Sequence, residues 1–154
     1  MSVRVEDKDF DVSAEIDALT RGDPGIGAVA TFIGKMRGAA HGAMLQSMTL
    51  EHYPGMTEDE LSRIEAEAVA RFRLSASLIV HRVGTLAPGD NIVLVITCSA
   101  HRGDAFAACE FLMDYLKTRA PFWKKETGSD GKGTWVDARE ADEEVAGRWT
   151  KQAP

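Results

Sequence analysis

The chain has 154 residues, of which 44% are hydrophobic and 27% are charged, and this length and composition suit one globular domain and exclude a collagen-like, low-complexity or disordered chain. Its formal net charge of −6 disfavours general binding to nucleic acid or to an anionic membrane, so a bound anion needs a local cluster of basic residues. The longest apolar stretches, 26–34 and 92–98, are much shorter than the roughly 20 residues of a membrane-spanning helix, and the N-terminus lacks the apolar core of a secretory signal. We therefore expect a single cytoplasmic domain over residues 1–154.

Hydrophobic periodicity and turn residues predict a mixed order of strands and helices. Ser13 would cap the first helix, and Thr57 with Glu60 fits the Ser/Thr-x-x-Glu capping box of the second. Because antiparallel strands are interrupted by helices, without strict β-α-β repetition, the predicted class is α+β. The segment from about Asp137 is acidic and is predicted to be an exposed extension. The predicted elements are, in chain order, a strand near Val3–Val5, a helix at Ser13–Arg21, strands at Ile26–Ile33 and Ala43–Glu51 around a flexible loop Gly34–Gly42, a helix at Glu58–Phe72, antiparallel strands Ser75–Val83 and Asn91–Ser99, a helix at Asp104–Arg119, and a hairpin of Phe122–Thr127 with Thr134–Val136.

Residue spacing argues against the common metal, hydrolase and nucleotide sites. The four histidines show neither an H-x-x-x-H nor an H-x-x-E-H spacing and have no cysteine partners nearby, so no metal site is predicted. The sequence contains no G-x-S-x-G elbow, no P-loop and no G-x-G-x-x-G fingerprint, and no bound cofactor is predicted. Cys98 and Cys109 lack a C-x-x-C or zinc-type spacing and are predicted to be small core residues.

Three basic residues beside predicted elements are candidates for anion binding. His101 and Arg102 follow an apolar strand and precede a helix N-terminus, where free amide groups and the helix dipole favour an anion. A surface histidine next to a salt-bridged arginine explains that pair equally well. Arg37, in the predicted loop, could grip a phosphate or carboxylate with its planar guanidinium, and the alternative is a solvated arginine.

Two lysines flank the end of the predicted helix Asp104–Arg119. Lys117 lies in its last turn and Lys124 lies just past Pro121, so their amines can converge. Phe122 and Trp123 would bury the backbone beside Lys124 and restrain it, and a restrained lysine can donate or accept a proton or act as a nucleophile. The alternative is a pair of solvated lysines whose only role is a favourable interaction with the helix dipole.

Five segments, in this order and spacing, resemble the catalytic large subunit of molybdopterin synthase. The resemblance extends from about Val3 to Trp149, which is almost the whole chain. The combination of the lysine segment with the E-H-Y-P-G-M segment is its most specific part. The segments are Thr31–Arg37, Leu50–Met56, His81–Gly84, Ser99–Arg102 and Asp114–Glu126.

The resemblance implies an α/β-hammerhead fold, with antiparallel sheets and flanking helices, and a sulfurtransferase of molybdenum cofactor biosynthesis. The implied reaction converts cyclic pyranopterin monophosphate to molybdopterin. Its sulfur comes from the C-terminal Gly-Gly thiocarboxylate of a small ubiquitin-like sulfur-carrier subunit. The implied assembly is a homodimer with one carrier docked on each protomer, which makes a heterotetramer.

The resemblance also implies roles for individual residues. Lys117 and Lys124 match the catalytic lysines of the family. Both substrates are negatively charged, so an acidic protein needs a focused cationic pocket to hold them. We expect the carrier tail to enter a groove near Phe122–Glu126 in extended form. The implied substrate-binding residues are Phe32, Arg37, His101, Arg102 and Arg139.

Two other kinds of function compete with this interpretation. The protein could be a sensor of a phosphorylated ligand, or a scaffold for a ubiquitin-like partner, in which the lysines supply only binding charge. Binding of single-stranded RNA would need exposed aromatic residues among basic ones along a strand. The net charge of −6 and the clustering of aromatic residues beside Lys124 argue against RNA.

Overall fold

The computed structural model describes residues 2–136 and 140–151, and its mixture of helices with mainly antiparallel strands confirms the predicted α+β class. None of the helices in these ranges is long and apolar enough to cross a membrane. The elements are β1 Ser2–Glu6, α1 Val12–Thr20, β2 Ala28–Lys35, β3 Ala39–Ala40, β4 Ala43–His52, α2 Met56–Phe72, β5 Ala76–Arg82, β6 Gly84–Leu86, β7 Asn91–Ser99, α3 Arg102–Arg119, β8 Phe122–Gly128, β9 Gly133–Val136 and α4 Glu140–Lys151.

The first sheet has the strand order β1-β5-β7-β2, in which β1 runs parallel to β5 and the other pairs are antiparallel. Its central strands β5 and β7 are apolar on both faces because helices cover both. Ile79 and Val95 pack with α2 and α3 on one side, and Leu78 and Leu94 pack with α1 on the other. Burial on both faces explains why these strands read as continuous apolar runs.

The second sheet is built around β4, which pairs with β8 on one side and with β3 and β6 on the other, while β9 extends the sheet beyond β8. The predicted hairpin of β8 and β9 is confirmed. The predicted flexible loop is only partly a loop, because β2 extends to Lys35 and the short strand β3 pairs with the start of β4. Met48 and Leu50 on one face of β4 form a small core with Leu86 and Met36.

The two predicted helix caps are wrong. Asp11, rather than Ser13, caps α1, since its Oδ1 accepts a hydrogen bond from the Ala14 amide at 3.0 Å. The capping carboxylate of α2 is Glu58, which accepts from the Gly55 amide, and the helix begins at Met56, two residues before its predicted start at Glu58. Both shifts reflect competition among several polar residues for the same free amide groups at a helix start.

The C-terminal segment is only partly the exposed extension that its acidic composition predicts. Glu143 and Glu144 are exposed, but Ala146 and Trp149 of α4 are buried. Trp149 contacts Phe72 and Phe111, with ring centroids 5.8 and 5.4 Å apart. The described part of this segment therefore belongs to the helical layer of the core.

The two cysteines are free and buried, as predicted. Burial raises the pKa of Cys109 to about 11. A thiol with so high a pKa is hardly ionised near neutral pH and is a poor nucleophile. Burial also raises the pKa of Cys98, and both cysteines pack in the hydrophobic core.

Candidate functional site

A cleft of about 480 Å³ opens between the two sheets, beside the C-terminal end of α3. Its volume lies within the range of about 300–1,000 Å³ that is usual for small-molecule sites. Much of its wall is apolar and is shared with the core of the second sheet. The apolar lining includes Met36, Met48, Leu50, Ile92, Val93, Met113, Leu116 and Phe122.

Four of the residues predicted for the site line this one cleft: Phe32, Arg37, Lys117 and Lys124. Arg37 and Lys117 are exposed, whereas Lys124 is half-buried. The Lys124 ammonium lies 3.5 Å from a carboxylate oxygen of Glu126, which also lines the cleft. The fold thus concentrates positive charge around an apolar pocket in a protein whose net charge is negative.

The chain reversal after α3 brings the two lysines to the same cleft. Ala120 has an extended backbone that ends the helix, and Pro121 has no amide hydrogen with which to continue it. The chain then enters β8, where alternation places Phe122, Lys124 and Glu126 on the face that points to the cleft. The register agrees, because Lys124 pairs with the buried Leu50 of β4.

Alternation also corrects the expectation that Trp123 shields Lys124. Trp123 lies on the opposite face of β8, where its side chain is 46% exposed. Lys125 and Trp135 share that face, with the Lys125 ammonium 5.9 Å from the Trp135 ring centroid. Of these two aromatic residues, Phe122 is the one that lines the cleft with Lys124.

Thr57 holds the reversal between the two lysines in place. Its side chain is fully buried, and its hydroxyl donates to the Pro121 carbonyl at 3.0 Å and accepts from the Tyr53 amide at 2.9 Å. One hydroxyl therefore joins the start of α2 to the residue that separates α3 from β8.

Replacing Thr57 by Val is expected to lower the free energy of unfolding by about 1–3 kcal/mol, because the isosteric side chain removes the partner of the partly buried Pro121 carbonyl and of the partly buried Tyr53 amide. Urea unfolding measures the change. Thr57→Ser keeps the hydroxyl and is expected to lose less. Equal losses in the two variants would show that packing of the methyl group, rather than the hydrogen bonds, stabilises the turn.

His81, one residue before the end of β5, also lines the cleft, although it was not predicted to belong to the site. Its side chain is buried, its ring stacks on Phe122 with centroids 3.8 Å apart and an angle of 18°, and its Nδ1 lies 2.8 Å from the Arg82 carbonyl oxygen. Burial, with a smaller contribution from the nearby His52, lowers the pKa of His81 from 6.5 to about 4. The imidazole is therefore neutral at physiological pH.

The depressed pKa of His81 predicts a loss of stability in mild acid. The unfolded chain takes up a proton near pH 6.5 but the folded chain only near pH 4, so the unfolded state is favoured as the pH falls between these values. The contribution amounts to about 3 kcal/mol at 1.36 kcal/mol per pKa unit. Urea unfolding at several pH values from 7 to 4 measures the free energy of unfolding of the wild type and of His81→Phe. The difference between the two pH profiles gives the contribution of His81, because the carboxylates affect both proteins alike. Parallel pH profiles of the two proteins would contradict the prediction.

His101 and Arg102 lie at the other end of α3 and do not line the cleft. Lys117 is fifteen positions after Arg102 in the same helix, which corresponds to about 22 Å at 1.5 Å per residue. Both side chains are exposed. Within one copy of the chain they cannot contact a phosphate that Lys117 holds. Arg139, also predicted for the site, lies outside the described residues.

Sequence reasoning did not include Glu126, Lys35 and His81 in the site, although all three line the cleft. Strand alternation from Lys124 is a signal that identifies Glu126. No comparable signal identifies His81, because its position depends on how two sheets meet. Among the described residues, no three His, Cys, Asp or Glu side chains lie close enough together to hold a metal ion.

Comparison with known proteins agrees with this architecture. Residues 5–119 match the family described as "MoaE protein". A molybdopterin synthase catalytic subunit from Ralstonia nicotianae is 55% identical over 148 residues, which cover 96% of this chain and 84% of the relative. A molybdopterin biosynthesis MoaE protein from Burkholderia ambifaria has a TM-score of 0.83 at 53% identity, covering 97% of both chains. A molybdopterin synthase from Staphylococcus aureus has a TM-score of 0.81 at 28% identity, covering 87% of this chain and 96% of that one. The chain therefore belongs to the MoaE family, in which its curated relatives are named catalytic subunits of molybdopterin synthase.

Proposed function

We propose that the protein is the catalytic subunit of a molybdopterin synthase, a sulfurtransferase that converts cyclic pyranopterin monophosphate to molybdopterin. The sulfur donor is the C-terminal thiocarboxylate of a small sulfur-carrier subunit. The observation that carries the proposal is the convergence of Arg37, Lys117 and Lys124 on one largely apolar cleft in a member of this family.

The charge distribution supports this function. A cyclic phosphate and a thiocarboxylate are both anions, and the net charge of −6 repels both except near a local cationic site. Arg37 offers a planar fork that suits the phosphate. Lys117 and Lys124 orient the thiocarboxylate and handle protons, or form a covalent adduct, as the cyclic phosphate opens. The apolar wall suits the flat face of the pterin.

The backbone pairing of β8 constrains how the carrier tail enters. From Lys124 to Thr127 the strand is paired with β4 on one side and with β9 on the other. The expected groove near Phe122–Glu126 suggests that the tail adds to the sheet as a new strand. Along these four residues it cannot, because both edges of β8 are already paired. It enters over the side chains of the cleft, where glycines at its end allow a close approach.

His101 and Arg102 bind substrate in the cleft of a second copy of the chain. They are too far from Lys117 to act on the same ligand within one copy, but a homodimer can bring the N-terminus of α3 of one protomer to the cleft of the other. The full assembly would then be a heterotetramer with one carrier on each protomer. Arg139 is proposed to bind substrate in the same way as these two residues.

Mixing two inactive variants tests the shared site. Lys117→Ala and Arg102→Ala homodimers are each expected to be inactive, but random subunit exchange places one intact site in every mixed dimer and restores about a quarter of the wild-type sites. Turnover before and after exchange measures the recovery. No recovery, with exchange verified by mass spectrometry, would contradict a site built from two copies.

Reconstitution tests the function itself. Purified protein, thiocarboxylated carrier and cyclic pyranopterin monophosphate are expected to give a product with a dithiolene, detected by mass spectrometry. Carrier with an ordinary C-terminal carboxylate is the control and should give none. Binding of the pterin without turnover would overturn the proposal and favour a sensor of a phosphorylated ligand.

A further inference from the structure

His81 lies where the first sheet reaches the cleft, and its surroundings hold the imidazole in one position. The residue is 5% exposed and its ring stacks on Phe122, while the backbone of His81 pairs with Val5 and Val93 on the two neighbouring strands. A side chain held on one face by an aromatic ring and fixed to the centre of a sheet has little rotational freedom.

The hydrogen bond at Nδ1 fixes the tautomer. A backbone carbonyl can only accept, so Nδ1 carries the hydrogen that it donates to the Arg82 oxygen at 2.8 Å. In a neutral imidazole the other nitrogen, Nε2, then has a free lone pair and no hydrogen. Nε2 is therefore a hydrogen-bond acceptor by construction.

Nε2 is open to a ligand. Nε2 has no hydrogen-bond partner among the residues that the structure describes. In those ranges, the one side-chain nitrogen or oxygen that is both without a partner and fully shielded from solvent is Arg148 Nε, so Nε2 of His81 is not fully shielded. Nε2 must therefore reach solvent, although the residue around it is buried. The cleft is the cavity that His81 lines.

We propose that His81 Nε2 accepts a hydrogen bond from a ring N–H of the pterin bound in the cleft, and so determines which heterocycle is accepted and how it is oriented. This proposal rests on the proposed function and adds a recognition residue to it. The cations of the cleft attract anionic groups. The neutral Nε2 of His81 instead attracts a hydrogen-bond donor. A flat heterocycle with N–H donors is the part of the substrate that such an acceptor fits.

The two kinds of polar group would together set the direction of the substrate. Arg37 holds the phosphate at the negatively charged end of the substrate, and His81 holds the ring N–H. Glu126, whose carboxylate could also accept a hydrogen bond in the cleft, is already paired with Lys124 at 3.5 Å. A site that hydrogen-bonds a donor discriminates against analogues that lack it, because the acceptor is then left buried without a partner.

Two matched variants separate recognition from structure. His81→Asn can still donate to the Arg82 carbonyl but does not reach the position of Nε2, whereas His81→Gln reaches it with an amide oxygen. We expect His81→Asn to raise the Kd for cyclic pyranopterin monophosphate about tenfold, with a smaller change in kcat, and His81→Gln to recover most of the affinity. A structural role predicts the reverse order, since only Asn keeps the contact with Arg82.

A measurement on the unchanged protein guards against variants that do not fold. In wild-type protein with 15N-labelled histidine, Nε2 of His81 should resonate as an unprotonated nitrogen in the free state. It should shift in the direction of a hydrogen-bonded acceptor when the pterin is added. A protonated Nε2 in the free protein, or an unchanged resonance at saturation, would overturn the proposal.

The outcomes distinguish this inference from the proposed function. If wild-type protein turns over the pterin while His81→Asn keeps wild-type Kd and KM, the His81 proposal fails and the function stands. If wild-type protein neither binds nor converts the pterin, the proposed function itself fails.

Discussion

Lys117→Ala and Lys124→Ala are each expected to lower kcat for molybdopterin formation by about 10²–10³-fold, the loss typical when a preorganised stabilising group is removed from an active site. Both ammonium groups border the cleft that would hold the reacting anions. The loss is expected in kcat more than in KM, because the charge that the lysines stabilise is greatest in the transition state. Steady-state kinetics with thiocarboxylated carrier measures both constants.

Lys125→Ala is the matched control for this experiment. It removes the same charge from the neighbouring position of the same strand, but Lys125 points to the opposite face of β8, beside Trp135. We expect kcat within about twofold of wild type, as for surface substitutions remote from a site. If Lys125→Ala is as damaging as Lys124→Ala, net charge rather than the geometry of the cleft determines the activity. Unchanged turnover in both Lys117→Ala and Lys124→Ala would rule out the proposed roles.

Local patterns in the sequence predicted most of the fold. The apolar runs of β5 and β7, the turn between them and the helix before Pro121 are all determined by residues close together in the chain, so their periodicity could be read directly. The hairpin of β8 and β9 follows from its glycine-rich turn for the same reason. The two misplaced helix caps are one-turn choices among neighbouring polar residues, which depend on contacts such as that between Thr57 and Pro121.

The candidate site was predictable only where its residues are near one another in sequence. Lys117 and Lys124 are seven positions apart, on either side of one proline, so their convergence on one cleft follows from local chain reversal. His81 reaches the cleft because the first sheet ends beside α3 and β8, and no local pattern specifies that. His101 and Arg102 were predicted for the same site as Lys117, but α3 places them at its opposite end. A single copy of the chain therefore does not bring these residues together, and the proposed site uses a second copy.

Trp149→Ala is expected to lower the free energy of unfolding by about 3–5 kcal/mol, the usual cost of truncating a buried tryptophan. Its ring fills the space between Phe72 and Phe111, and its Nε1 donates to an Asp114 carboxylate oxygen at 2.6 Å. The Arg71 guanidinium lies 5.5 Å from the ring centroid and donates to the Trp149 carbonyl at 3.0 Å. Urea unfolding, followed by circular dichroism, measures the loss.

Two variants show which of these contacts matter. Trp149→Phe keeps an aromatic ring and removes the hydrogen bond to Asp114, so its expected loss is about 1–3 kcal/mol. Trp135→Ala deletes a tryptophan that is 54% exposed, and its expected loss is about 1 kcal/mol or less. If Trp149→Ala costs no more than Trp135→Ala, α4 is dispensable for the core. A large loss in Trp149→Ala would show that α4 stabilises the core through its ring contacts with Phe72 and Phe111. A loss in Trp149→Phe would show that α4 also stabilises α3 through Asp114, three residues before the Lys117 that the proposed chemistry requires.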